Sequence, residues 1–305
     1  MAWVGRAGFR SVTGVTFQYD NQVLKSFDSA AFSMAMCYHA TPSLSWLDLS
    51  QRGALYILLC CGIKSLIMTI DDILDHDIDA KVERTKNRPI PRGDISLPRA
   101  WMWFTLQVIV GVQLGYNLLN RLTLLVSMWV WPIFVIYPTC KRWMDFAPVP
   151  LAMMFNVGSF MGWTDLRPEE VPWQTLSIVY LATGFWTITF ETVYQHQDKL
   201  DDAKIGARSL ALYMGEQTVP LCTATTVLFL FLLSYAAFLN GHGVIFYLSV
   251  MVAAWELLVP LSKVNIDIPR DCLKFFLGMP RVGSTLLAGL LLDAIIQRYI
   301  VGTKL

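Results

Sequence analysis

Two runs of carboxylates interrupt an otherwise apolar chain. The first comprises Asp71, Asp72, Asp75, Asp77 and Asp79 with His76 among them; the second comprises Asp198, Asp201 and Asp202. If a helix continues through the first run, Asp72, Asp75 and Asp79 share one face. Asp198 and Asp202 are one turn apart, with Glu191 and Tyr194 on the same stripe. Converging carboxylates repel one another unless cations lie among them. Hard divalent ions suit oxygen ligands, and Mg2+ usually binds through a few carboxylates plus a substrate phosphate. Two such clusters on one side would hold two or three Mg2+ and, through them, a diphosphate. The basic residues Arg84, Arg88, Lys141, Arg142 and Lys199 would complete the clamp. A single acidic run is equally well read as a solvated helix end. Two runs with matching spacing at matching positions favour the metal site.

The elements that carry these residues follow from composition. In 305 residues, apolar types make up 55% and charged types 15%, against roughly 25% charged in soluble proteins. Mean hydropathy is +0.48. Disorder is excluded, and too little polar surface is available to cover a soluble fold. The net charge of +1 gives no bulk attraction to nucleic acid.

A membrane-spanning helix needs about 20 mostly apolar residues. Eight stretches qualify: 54–70, 100–119, 122–137, 148–162, 176–194, 219–239, 244–261 and 282–299. A shorter one at 27–40, with Asp28 near its start, precedes them. The expectation is an all-α, multi-pass transmembrane bundle of about nine spans. The runs are too long for strands and lack the alternation of a membrane barrel.

Loop charge alternates. One set of loops carries Lys81, Arg84, Lys86, Arg88, Arg92, Arg99, Lys141, Arg142, Lys199, Lys204, Arg208, Lys263, Arg270, Lys274 and Arg281. The opposite set holds Arg52, Arg121 and Arg167. The charged loops, and the acids with them, belong on the cytoplasmic or matrix side.

Several further residues stand out. Lys64 lies within the second span, seven residues before Asp71 and on roughly the same face; an intramembrane lysine points to function, with those aspartates as partners. Asn156, beside Gly158 and Gly162, either lines a cavity or bonds a neighbouring helix. The six cysteines form no CxxC pair and read as small apolar residues rather than disulfides or zinc ligands. Residues 1–19 contain Arg6 and Arg10 and no acid, which fits either a basic tail or a mitochondrial presequence.

At these residues the chain resembles the UbiA family of intramembrane prenyltransferases. The family signature N-D-x-x-D-x-x-x-D reads here Asp71-Asp72-Ile-Leu-Asp75-His-Asp-Ile-Asp79. The element D-x-x-x-x-R-T-x-x-R-P follows as Asp79 through Arg84, Thr85, Arg88 and Pro89. Y-x-x-x-K appears as Tyr137 to Lys141. The second signature, D-x-x-x-D, lies in Tyr194 to Gly206 as Asp198 and Asp202. Asp71 stands where the family usually has Asn; a carboxylate still binds Mg2+ and adds negative charge. Residues 1–29 do not resemble the family's usual opening and are taken as a divergent tail, with one prenyltransferase domain over 30–305.

The resemblance implies a bundle around a central cavity open to lipid, with an apolar tunnel for an isoprenoid tail. It implies Mg2+ on Asp71, Asp72, Asp75, Asp79, Asp198 and Asp202, and a diphosphate held by Arg84, Arg88, Lys141, Arg142 and Lys199. Lys64, Asn156, Glu191 and Tyr194 would face the cavity or the acceptor. The implied reaction is Mg2+-dependent transfer of a prenyl group from an isoprenoid diphosphate to an aromatic acceptor. A phenolic acid of secondary metabolism, in an endomembrane, is the first expectation, since no long leader precedes the spans. A 4-hydroxybenzoate polyprenyltransferase of ubiquinone synthesis in the mitochondrial inner membrane is the alternative. A terpene cyclase would use the same motifs without an acceptor. A transporter or a non-catalytic membrane protein is the reading from another class.

Overall fold

A computed structural model describes residues 22–301. Residues 1–21, including Arg6, Arg10 and most of the divergent tail, lie outside the described residues. The chain runs through α1 (Gln22–Ala40), α2 (Trp46–Leu74), α3 (His76–Asp79), α4 (Leu97–Leu118), α5 (Arg121–Met128) and α6 (Trp131–Ile136). A 3-10 turn over Tyr137–Arg142 leads to α7 (Pro148–Phe155), α8 (Gly158–Leu166), α9 (Trp173–Gln195), α10 (Lys199–Ile205) and α11 (Leu210–Met214). Then come α12 (Thr218–Leu239), α13 (Val244–Lys263) and α14 (Pro269–Ile295), which ends in a π turn over Ile296–Val301. No strand occurs among the described residues.

Six of these stretches are long and apolar enough to cross a membrane: Trp46–Leu74, Arg121–Arg142, Trp173–Gln195, Leu210–Leu239, Val244–Lys263 and Pro269–Tyr299. The protein is a multi-pass helical membrane protein. The other expected spans correspond to α1, to α4 and to the α7–α8 pair, which breaks at Asn156 and Val157.

Local sequence explains where helices begin. Ser45 and Asp48 form a reciprocal capping box at the start of α2. The Asn120 side chain accepts from the Thr123 N–H at 2.9 Å to open α5. Proline occupies the first turn of α4, α7 and α14, where no N–H is needed.

Packing is organised around α9 and α1. α9 lies along α12, and α1 along α8 and α14. The main apolar cluster includes Phe32, Leu176, Val179, Trp186, Phe190, Phe229, Leu233, Phe276 and Leu286. Gly158 and Gly162 let α8 press on α1: a Cβ on Gly158 would lie 3.0 Å from the Ala30 N, and one on Gly162 would collide with the Ala30 carbonyl. Arg281, expected in a loop, lies instead well inside α14, paired with Glu256 of α13 at 2.8 Å. The six cysteines are free, and Cys61 is exposed rather than buried.

Candidate active site

The first acidic run does not sit on one unbroken helix. α2 stops at Leu74, Asp75 caps it, and α3 restarts at His76. The break still leaves Asp72 and Asp79 together, because Arg88 reaches both, at 2.9 Å and 2.6 Å. Thr85 fixes the returning loop by donating to the Asp79 carbonyl at 3.0 Å. The second acidic run follows α9: Asp198 caps α10, and the Asp202 N–H closes the turn onto the Asp198 carbonyl at 2.8 Å. Gly206, at φ 71°, ends α10 in the left-handed region that glycine adopts without strain.

Cations join the two runs across the fold. Arg84, from the loop after the first run, makes a two-pronged pair with Asp198, at 2.8 Å and 2.5 Å. Its guanidinium also lies 5.7 Å from the Tyr194 ring centroid. Lys141 approaches Asp75 at 3.7 Å. The Lys141 carbonyl accepts from the Arg208 N–H at 2.8 Å, tying this turn to the end of α10. Asp201 is engaged by the Glu83 N–H at 3.1 Å and by Lys204 at 3.0 Å. The structure therefore brings Asp72, Asp75, Asp79, Asp198, Arg84, Arg88 and Lys141 into one assembly, with Asp202 buried beside it and under the charge of Lys141.

Two expected clamp residues point elsewhere. Arg142 pairs with Asp77 at 2.6 Å, and Lys199 with Asp267 at 3.3 Å. Asp77 is held down to about 2 by hydrogen bonds from Arg142. Lys64 lies two turns inward on α2 and feels the charge of Asp71 and Asp72. Asn156 bonds the Ala152 carbonyl at 2.8 Å and the Thr187 hydroxyl at 2.9 Å, so it joins α7 to α9. Glu191 is buried one turn inward of Tyr194, whose ring packs on Phe276 with centroids 4.2 Å apart.

The acids are suited to a hard cation. Asp75 Oδ1 is buried without a hydrogen-bond partner. Burial, together with the neighbouring Asp71, raises the Asp75 proton affinity. Burial pushes Asp202 to about 6. Carboxylates in this state gain from a metal ion that restores the charge balance.

One feature had no sequence signal. A cavity of about 500 Å³ opens between α2, α4 and the loop before α4, with Asp72 on one wall and Ile90, Ile95, Arg99, Trp103 and Leu106 on the others. Its residues come from three segments with no shared spacing, so only the fold assembles it.

Residues 29–282 match the family model described as the UbiA prenyltransferase family. The chain is 32% identical over 301 residues to the mitochondrial 4-hydroxybenzoate polyprenyltransferase of Schizosaccharomyces pombe, covering 98% of this chain and 81% of that protein. Among solved structures it is similar to a UbiA homolog from Aeropyrum pernix K1, with TM-score 0.71, 22% identity, and coverage of 88% of this chain and 97% of that one. It is also similar to a UbiA homolog from Archaeoglobus fulgidus bound to DMAPP and Mg2+, with TM-score 0.63, 14% identity, and coverage of 90% and 97%.

Proposed function

The chain belongs to the UbiA prenyltransferase family, and from that premise we propose that it joins a prenyl group to a ring carbon of a phenolic acid of the 4-hydroxybenzoate type. The carrying observation is the cross-linked acid and base assembly: Arg84 on Asp198, Arg88 on Asp72 and Asp79, and Lys141 on Asp75. The name of the fission-yeast relative supports the acceptor class and a mitochondrial membrane. That reading displaces secondary metabolism as the first choice of acceptor.

Asp71, Asp72, Asp75, Asp79, Asp198 and Asp202 would hold Mg2+, which supplies Lewis-acid neutralisation of the diphosphate charge. Arg84, Arg88 and Lys141 exchange part of their carboxylate pairing for diphosphate oxygens. They then stabilise the charge that grows as the allylic C–O bond breaks and its electron pair leaves with the diphosphate. The Tyr194 ring lies beside Arg84 and packs on Phe276, and an aromatic face there would stabilise the allyl cation. The apolar bundle keeps water away, which would otherwise convert the cation to an alcohol. The acceptor ring carbon forms the new C–C bond, and the ring proton passes to a carboxylate. Glu191 is the better base: it is buried below the acids, whereas Asp201 is held ionised by Lys204 and the Glu83 N–H, which lower its proton affinity.

The test is an assay of membranes with Mg2+ and geranyl, farnesyl or geranylgeranyl diphosphate. 4-Hydroxybenzoate or an orsellinic-type acid is present or absent, and Asp75→Ala and Asp198→Ala are controls. A C-prenylated acid formed only with Mg2+ and both aspartates supports the reading. A cyclised product made without acceptor replaces it with a terpene cyclase.

A further inference from the structure

At the other end of the bundle, three side chains of metal-ligand type converge. Asp293 lies 24 residues after Pro269, about 36 Å along α14 at 1.5 Å per residue, whereas the start of α14 adjoins the Lys199–Asp267 pair at the acid end. His39 comes from the last turn of α1, and His242 from the turn between α12 and α13. All three are buried, and one ligand atom of each lies within 4.8 Å of the others. His242 Nδ1 is 3.0 Å and His39 Nε2 is 4.0 Å from Asp293 Oδ2. Gln297, one turn beyond Asp293, spans the group: its Nε2 donates to Asp293 Oδ2 at 2.9 Å, and its Oε1 is 3.1 Å from His39 Nε2.

Hydrogen bonding leaves one atom of this cluster without a partner. His39 Nδ1 is buried without a hydrogen-bond partner, in a residue with 0% exposure. The Asp293 carboxylate, 1% exposed, meets imidazole, a side-chain amide and the Gly243 N–H, at 2.8 Å for the last. Arg298 turns away: it donates to the Leu44 and Thr41 carbonyls and lies 3.7 Å from the Tyr38 ring centroid. A carboxylate buried among such donors gains from a full counter-charge.

We propose that His39, His242 and Asp293 form a structural zinc-type metal site, with Gln297 supplying a fourth, oxygen ligand once its amide turns over. Two nitrogens and a carboxylate suit Zn2+ and not the all-oxygen preference of Mg2+. The ion takes the place of the His242 proton on Asp293. It draws the imidazoles apart, from centroids 4.0 Å apart to about 5 Å, as two ligands of one tetrahedral ion require. The site pins the far ends of α1, α12 and α14 together. It is independent of the prenyl-transfer reading.

The experiment uses the full chain in detergent, stripped with EDTA, reloaded with ZnCl2, freed of excess and analysed for metal by mass spectrometry. It is done in an Asp75→Ala/Asp198→Ala background, so that zinc on the acid clusters does not count. One zinc per chain is expected, with two imidazoles seen in the zinc-edge absorption spectrum and a Tm that rises on loading. His242→Ala and Asp293→Asn should each weaken retention at least tenfold. Asp293→Asn keeps an acceptor oxygen, so it preserves folding where His242→Ala fails. No zinc retained in the parent, or equal retention after either substitution, overturns the site.

Discussion

The two ends of the bundle handle buried charge in opposite ways. At the acid end, carboxylates are paired with full cations drawn from other segments: Arg84 with Asp198, Arg88 with Asp72 and Asp79, Lys141 with Asp75. At the far end, Asp293, 1% exposed, is held by imidazole, an amide and a backbone N–H. Fixed cations can transfer from carboxylates to an arriving anion and back. A closed set of short donors around one oxygen cannot do so without loss. The first arrangement suits a charged substrate that comes and goes, and the second suits a permanent join.

The comparison breaks most readily at Asp75 and Asp198. Asp75→Ala or Asp198→Ala should lower kcat/KM about a thousandfold, as expected for loss of a group that holds a catalytic metal. The Tm should move by only a few degrees. Initial rates in membranes, set beside a thermal melt, give both readouts. A loss of activity that merely tracks lost protein would erase the distinction between the two ends.

Arg88 tests how the acid end works. One nitrogen, Arg88 Nη1, donates to both Asp72 and Asp79, so Arg88→Ala should cost about a hundredfold in kcat, the scale of one lost electrostatic donor. Arg88→Lys should recover part of this, because an ammonium keeps the charge and can donate to both carboxylates but lacks the further guanidinium N–H groups that would meet diphosphate oxygens. Full recovery by lysine would mean that charge alone matters there.

These residues also show what the sequence makes legible. Spacing was enough to single out both acidic runs, because helical periodicity and charge survive any change in loop path. It did not foresee the break at Asp75, since a helix cap there depends on how α2 meets the turn that carries Arg142, which donates to the Leu74 carbonyl at 2.7 Å. Arg142 and Lys199 looked like clamp residues from proximity in the chain, yet their partners, Asp77 and Asp267, are set by where the 3-10 turn and the α13–α14 loop lie. Arg281 reads as a loop residue because its charge ends an apolar window; Glu256 on the neighbouring helix offsets that charge within α14. The His39, His242 and Asp293 cluster left no trace in spacing, as its members are 203 and 51 residues apart.

The far end provides the contrasting measurement. Asp293→Asn without added metal should cost about 1–3 kcal/mol of stability, the range for disturbing a buried hydrogen-bonded group. Turnover per folded molecule should stay within about twofold, since the substitution is remote from the acids. Denaturant or thermal unfolding with activity normalised to folded protein checks this. A fall in kcat without a fall in stability would mean that the two ends are coupled and that the division drawn between them is false.

The smallest expected effect is in the pH dependence of the metal requirement. Burial raises Asp202 to about 6, and Asp75 is raised as well. A carboxylate must lose its proton to bind Mg2+, so protons and metal compete. Well above pH 7 both acids are ionised and the competition vanishes. As pH falls through 6, Asp202 takes up a proton and the Mg2+ concentration giving half-maximal rate rises. For one site of that proton affinity the rise is about twofold from pH 7 to 6 and about tenfold to pH 5. Asp202→Asn should flatten this slope while leaving the steeper contribution of Asp75 in place. The far-end substitution Asp293→Asn should leave the slope unchanged, because its carboxylate belongs to the other kind of site. A slope altered by Asp293→Asn and not by Asp202→Asn would reverse the assignment of which end binds the catalytic metal.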